Sequence, residues 1–354
     1  MPHLFEPLVI KDVTLRNRIG VSPMCMYSYA DGFSNDWQVV HLGARAAGGA
    51  GLVIAEATAV EPRGRITPYD AGLWSDAHVE PLQRVTRVIK ENGAVAGVQL
   101  AHAGRKAGSR RPWYIGKPPQ PNELPGWQGV APSPIAFNAD DAVPHELSVE
   151  EIHQIQDSFR AAAERALAAG FEWLEIHAAH GYLLHSFYSP LSNQRRDDYG
   201  GSFENRIRFL LETVRAVRPV WSKRLPLTVR ISGTDWVEGG WSVEDSTQLA
   251  RRLKAEGVDL IDCSSAGVVA QANVPTGAGY QVPISEAVRR GADILTAAVG
   301  LITAPEQADE IIRNGRADLV LLGREMLRDP YWALHAARAL KQPAPVPTQY
   351  LRAF

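Results

Sequence analysis

The sequence predicts an α/β fold, a (β/α)8 TIM barrel, and three observations carry that expectation. Eight short apolar or β-branched runs recur along the 354 residues, each followed by a stretch with helical periodicity. The runs are nearly continuously apolar rather than alternating, as parallel strands buried on both faces should be. The glycine fingerprint GxGxxG, which would open a doubly wound dinucleotide-binding sheet, is missing after the first run, so that topology is the runner-up.

In chain order the strand runs are 18–23, 51–57, 95–100, 173–177, 227–231, 258–263, 294–299 and 319–322. Helical patterns follow at about 36–47, 77–91, 149–169, 203–217, 243–256, 283–290, 305–313 and 331–340. Ser148 is expected to cap the third helix, with Glu151 at the capping-box position. Ahead of the first unit, 4–15 alternates weakly around Lys11 and Asp12, which suits a short hairpin covering the N-terminal mouth of the barrel. After the third strand, 107–134 carries seven prolines and is too long for an ordinary strand-to-helix connection; a lid or partner contact at the catalytic face is expected. No internal repeat is evident, and residues 1–354 read as a single domain with a C-terminal tail at 341–354.

Composition narrows the function classes. With 37 basic against 39 acidic side chains, no excess positive field exists to hold nucleic acid or an anionic membrane. Two cysteines, Cys25 and Cys263, exclude a disulfide framework or a cysteine-rich metal site and suit a reducing compartment. No N-terminal leader pattern or apolar stretch of spanning length is seen, so a cytoplasmic protein is expected.

In such barrels chemistry stands at the C-terminal ends of the strands. Here those ends present Pro23-Met24-Cys25, Glu56-Ala57, Gln99 with His102, His177 with His180 and Tyr182, Arg230, Ser264-Ser265, Gly300 and Gly323-Arg324. One polar residue among apolar neighbours is more often a satisfied core group, but convergence of six polar strand ends points to a site. Gly300, Gly323 and Arg324 end the seventh and eighth strands, where barrels often bind a phosphate: glycine lets backbone N–H groups approach an oxyanion and arginine offers a fork. Without a GxxxxGK[ST] loop, a monophosphate is better supported than a longer phosphate chain. His177 and His180 could hold an oxygen on which negative charge develops, and the Tyr182 phenol suits a general acid. Two rivals use the same residues. A metal hydrolase could use the histidine pair with Glu175 or Glu56 as a further ligand, although HExxH is absent. A barrel lyase or aldolase on a phosphorylated substrate could use Lys106 as a Schiff base, although Lys106 lies several residues past the strand end at Leu100.

Several long motifs, in order, carry a resemblance. Ser22-Pro-Met-Cys-Met-Tyr27, Glu56-Ala57, Gln99-Leu-Ala-His102-Ala-Gly-Arg105-Lys106, Glu175-Ile-His177-Ala-Ala-His180-Gly-Tyr182 and Asp197-Asp-Tyr199-Gly-Gly-Ser202-Phe-Glu-Asn205-Arg206 together resemble the old yellow enzyme family of flavin-dependent ene reductases. The match spans essentially the whole chain. Cys25, the His177/His180 pair and the terminal Gln349-Tyr-Leu-Arg352 are similar to its bacterial, thermophilic-like subgroup; the long loop with Trp113, Gly126 and Trp127 is similar to the xenobiotic-reductase branch. The resemblance implies noncovalent FMN, NADPH as reductant, and an alkene conjugated to a carbonyl or nitro group as substrate. It implies that Pro23, Met24, Cys25 and Ala57 line the isoalloxazine, that Gln99 bonds its pyrimidine ring, and that Arg230 faces N1 and C2=O. Gly300, Gly323 and Arg324 would take the phosphate. His177 and His180 would hold the substrate oxygen and Tyr182 would protonate Cα. Tyr27, Lys106 and Arg352, the last from a neighbouring subunit, would shape the substrate pocket, so a homodimer or homotetramer is expected.

Overall fold

The computed structural model describes residues 3–114 and 127–353. The strands are β1 (Leu8–Ile10), β2 (Val13–Leu15), β3 (Ile19–Val21), β4 (Leu52–Ala59), β5 (Ala71–Gly72), β6 (Val95–Ala101), β7 (Val130–Ala131), β8 (His145–Glu146), β9 (Trp173–Ala178), β10 (Leu227–Ser232), β11 (Leu260–Ser264), β12 (Leu295–Ala298) and β13 (Leu319–Leu322). The helices are α1 (Asp36–Ala47), α2 (Val79–Glu91), α3 (Val149–Ala168), α4 (Leu183–Tyr188), α5 (Phe203–Val217), α6 (Val243–Ala255), α7 (Val282–Ala292), α8 (Pro305–Arg313), α9 (Arg324–Arg328) and α10 (Trp332–Ala339).

Eight parallel strands run β3-β13-β12-β11-β10-β9-β6-β4, and β4 pairs back with β3, so the sheet closes on itself. This is the (β/α)8 barrel. All eight expected strand runs are present with ends shifted by a few residues, as are the eight expected helices. Ser148 accepts from the Glu151 amide and Glu151 returns a bond to the cap backbone, the reciprocal box read from sequence. Similar side-chain caps start α1 at Asn35, α5 at Ser202 and α6 at Ser242. Two short helices were not expected: α4, after β9, and α9, after β13.

The N-terminal hairpin pairs β1 with β2 antiparallel. Lys11, at φ 54, takes the left-handed position of its tight turn. Leu8, Ile10, Val13 and Leu15 point into the barrel, where they pack on Leu52, Ile54, Trp173, Leu260, Leu319 and Leu321. A second, larger apolar layer lies between the outer faces of the strands and the helices. The hairpin thus supplies the apolar stopper of the N-terminal mouth and leaves the C-terminal half of the interior to polar side chains. Of the long segment after β6, the described parts include a turn at Pro112–Tyr114 and strand β7, which pairs with β8; Gly126 and the rest of 115–126 lie outside the described residues, and with them the middle of the expected lid. Among the described residues no helix is long and apolar enough to cross a membrane.

Leu15 is only 1% exposed and completes this stopper. Leu15→Ala is expected to cost about 2–5 kcal/mol, read as a lower urea midpoint with an unchanged slope. A loss below about 0.5 kcal/mol, the scale of a surface substitution, would show that the hairpin is not packed in this way.

Candidate active site

The parallel register sets the heights of the inward-facing side chains. Gln99 on β6 stands opposite Glu175 on β9; His177 on β9 stands opposite Arg230 on β10, and Arg230 opposite Asp262 on β11. All six are buried. Gln99 Nε2 donates to Glu175 Oε1 at 2.8 Å. Arg230 Nη1 donates to Ser22 Oγ at 3.1 Å, and Arg230 Nε lies 3.1 Å from Asp262 Oδ2. Burial pushes both carboxyls upward; the Asp262 charge pushes Glu175 further, and Arg230 opposes the rise in each.

Above this layer the chain leaves β9 in a tight turn. His180 sits at φ 60 and Gly181 at φ 75, and a Cβ on Gly181 would lie 2.0 Å from the Gly267 carbonyl oxygen, so only glycine fits. Three further contacts fix the turn. Lys106 Nζ donates to the His180 and Gly267 carbonyls at 2.8 and 2.9 Å. The Gly181 amide donates to His185 Nδ1, and His185 Nε2 meets the fully buried Asp235 at 2.9 Å. The His180 amide donates to Ser232 Oγ.

The turn brings three rings together. The His177 centroid lies 5.2 Å from that of His180 and 5.1 Å from that of Tyr182, both near-perpendicular. Burial, then the Arg230 charge, holds both imidazoles well below their ordinary value, so both are neutral at neutral pH. The His177 tautomer follows from the network. His177 Nδ1 accepts from the Ala179 amide, which leaves Nε2–H as the donor. Ser264 Oγ stands 2.7 Å from His180 Nε2 and 3.4 Å from Gln281 Oε1; its single proton can serve either contact, and His180 carries its own proton on the nitrogen that this choice leaves. Burial, with the Cys25, Tyr27 and Asp70 charges, holds the Tyr182 phenol well above its ordinary value, so it keeps its proton until a strong base forms beside it.

Cys25 enters from the loop after β3. Its thiol is raised by burial and by Glu56 and Asp70, and it shares a side-chain hydrogen bond with Tyr27. Glu56, raised to about 8 by burial, accepts from the Met26 amide at 2.9 Å and so anchors that loop. Tyr27 sits at φ 50, with its ring edge-on to Trp113 at 5.9 Å.

On the opposite side a cavity of about 190 Å³ is lined by Arg230, Ser264, Gly300, Thr303, Gly323, Arg324 and Arg328. Gly300 has φ 124, and a Cβ there would lie 2.9 Å from Gln281 Nε2. Gly323 would meet only Met24 Sδ, at 3.7 Å. Arg324 is exposed and makes no ion pair with a described residue, so its guanidinium is available to an anion. These are the features an FMN needs: a glycine-lined cavity with an arginine for one phosphate, continuous through Arg230 with polar groups for a ring.

Of the remaining expected residues, Lys106 lies beside the three rings, its Nζ 5.4 Å from the Tyr182 centroid, and Arg352 lies in the tail. The Lys106 amine is committed to two carbonyls and to the Phe137 ring at 4.1 Å, and burial lowers it to about 8. Arg352 is exposed in the tail, whose Tyr350 hydroxyl meets the Tyr331 hydroxyl at 3.1 Å; it is not among the residues that line the cavity of Gly300, Gly323 and Arg324. Among the described residues no group of three or more His, Cys, Asp or Glu is arranged to hold a metal ion. Sequence reading missed Asp262, Asp70 and the His185–Asp235 pair.

Residues 3–342 match the model of the NADH:flavin oxidoreductase / NADH oxidase family. The chain belongs to this family. It is 48% identical over 353 residues, 99% of each chain, to a NADPH dehydrogenase of Bacillus subtilis, and 49% identical over 356 residues, all of each chain, to one of Listeria innocua. An old yellow enzyme homologue from Zymomonas mobilis superposes with a TM-score of 0.79 at 28% identity, over 97% of this chain and 94% of that one. The chain is therefore an FMN-dependent oxidoreductase of the old yellow enzyme family, and neither the hydrolase nor the lyase reading is supported.

The neutrality of the two imidazoles sets a pH dependence. An ordinary histidine half-titrates at about 6.5, whereas His177 and His180 stay neutral well below it. Affinity for a non-reducible ketone, followed by perturbation of the flavin spectrum, is expected to be flat from about pH 8 to about pH 6. A tenfold change in Kd centred near 6.5 would mark an imidazole that charges in that range.

Proposed function

We propose that the enzyme reduces the C=C bond of alkenes conjugated to a carbonyl or nitro group, with NADPH as reductant, both reactants using one site in turn. The observation that carries this reading is the meeting of two neutral imidazoles and a protonated phenol at the end of β9, on the same interior as the buried Arg230. FMN would supply the two-electron carrier, taking hydride from NADPH and passing it to Cβ of the alkene.

The chain's own residues do the rest. Gly300, Gly323 and Arg324 would bind the FMN phosphate, Gln99 and Arg230 the pyrimidine edge of its ring, and Pro23, Met24, Cys25 and Ala57 the remainder of the ring. Arg230 puts a fixed positive charge where reduction adds negative charge, which favours electron uptake. His177 Nε2–H and a ring N–H of His180 would hold the substrate oxygen as it gains charge when Cβ accepts hydride. Tyr182 would give its proton to Cα; a phenol raised this far parts with it only to a strongly basic carbon, so the proton is not lost beforehand. Tyr27 would border the substrate. Lys106 would act from behind, by fixing the turn that carries His180. Arg352 would border the substrate from a second copy of the chain in a homodimer or homotetramer; its side chain stands exposed in the tail. A cytoplasmic setting fits two free cysteines, neither of them paired.

Tyr182→Phe is expected to separate the half-reactions. Flavin reduction by NADPH needs no proton from this phenol and should keep its rate, whereas reoxidation by an enone should slow by about 10²- to 10⁴-fold. Stopped-flow absorbance measures each step; unchanged reoxidation, or equal slowing of both, would assign the proton to another source. Truncation before Gln349 should weaken enone binding while FMN stays bound, and an active monomer of unaltered enone affinity would remove Arg352 from the site.

A further inference from the structure

The layer beneath the histidines holds an imbalance that the proposed reaction leaves unused: two carboxyls, Glu175 and Asp262, face one guanidinium, Arg230. Glu175 is 1% exposed and Asp262 0%, so neither can offload charge to water. Glu175 receives one hydrogen bond, from Gln99 Nε2. Neither Asp262 oxygen has a hydrogen-bond partner among the described residues, and neither does Arg230 Nε, so the 3.1 Å contact between them is a charge contact out of line for a hydrogen bond. The groups that face the pair are few. Arg230 comes from β10 and His177 from the top of β9, while β6 and the residue just after β3 contribute the uncharged Gln99 and Ser22. One cation can hold one buried carboxylate ionised. The second costs several kcal/mol to ionise in such surroundings and holds its proton to a higher pH.

We propose that the Glu175/Asp262 pair takes up one proton from solvent when the bound flavin is reduced and returns it on reoxidation, so that Arg230 can serve the added negative charge without leaving a bare carboxylate behind. The inference rests on the reading that Arg230 faces FMN. The balance is simple. NADPH gives two electrons and one proton as hydride and leaves as NADP⁺; a second proton comes from water to one carboxylate oxygen of the pair. When hydride passes to the alkene and Tyr182 protonates Cα, the phenol regains a proton from water and the proton of the pair goes back to water. The net reaction is unchanged, and the pair acts as a positioning device for charge rather than as a catalytic residue. Burial raises both acids, and like charge raises Glu175 further; reduction adds another negative charge and moves the same equilibrium in the same direction.

The test is the pH dependence of the flavin midpoint potential in the FMN-loaded enzyme, measured by spectroelectrochemistry. Each proton that accompanies two electrons adds about 30 mV per pH unit, the tenfold constant for a two-electron couple. Hydride-equivalent reduction alone gives about 30 mV per pH unit. The proposal predicts a window on the neutral-to-alkaline side in which the wild-type slope rises toward about 60 mV per pH unit, then relaxes. Glu175→Gln and Asp262→Asn each leave one acid for one guanidinium, and each should flatten that window; protonation of the flavin itself would persist in both. A wild-type slope of about 30 mV per pH unit throughout, or a window unchanged in both variants, overturns the proposal. Should neither variant fold, the reduced-minus-oxidised infrared spectrum of the wild type decides: a protonated-carboxyl stretch gained on reduction supports the uptake, and its absence refutes it. Failure to bind FMN at all would instead sink the reading of the site.

Discussion

The guanidinium of Arg230 is the group on which the rest of the site depends. It is buried inside the barrel, held by Ser22, just after β3, and by Asp262 from β11. A cation in such a place persists only with counter-charge, and that counter-charge in turn raises the carboxyls that supply it. Its field also reaches upward: it is the second cause, after burial, that keeps His177 and His180 neutral. One charge thus bears on the acids below and on the two imidazoles above. The acidic groups Glu56 and Asp70, near Cys25 and Tyr27, bias the opposite flank and keep the thiol and the phenols protonated.

Such a polar interior needs an apolar foundation. The hairpin closes the lower mouth with Leu8, Ile10, Val13 and Leu15, so water is excluded from beneath and the upper layer can work at low dielectric. Above it, precision comes from the turn after β9. Backbone at φ 60 for His180 is costly for a non-glycine residue. It is offset by Lys106 on the carbonyl, Ser232 on the amide, and the His185–Asp235 pair on the next residue. A lysine expected to border the substrate is therefore better understood as a brace, and its lowered proton affinity follows from that burial.

The eight-unit barrel was legible because buried parallel strands leave unbroken apolar runs and because caps such as Ser148/Glu151 mark helix starts. Helices α4 and α9 were not, since six and five residues span too few turns to show a period. His177, His180 and Tyr182 could be found because one turn carries all three. Asp262 was hidden inside an apolar run, where a lone carboxylate reads as a satisfied core group. The brace at Lys106 had no sequence signal: its partners are backbone carbonyls 74 and 161 residues away, brought near only by barrel closure. The role proposed for Arg352 would depend on a second copy of the chain, which the fold of one copy does not specify.

The central claim is that FMN lies with the pyrimidine edge of its ring on Arg230 and its phosphate among Gly300, Gly323 and Arg324. A crystal structure of the FMN-loaded enzyme tests it most directly. The account predicts hydrogen bonds from Arg230 and Gln99 to that ring edge, with the phosphate at the two glycines. A phosphate seated away from the ends of β12 and β13, or an Arg230 that contacts Asp262 and Ser22 but not the ring, would contradict it.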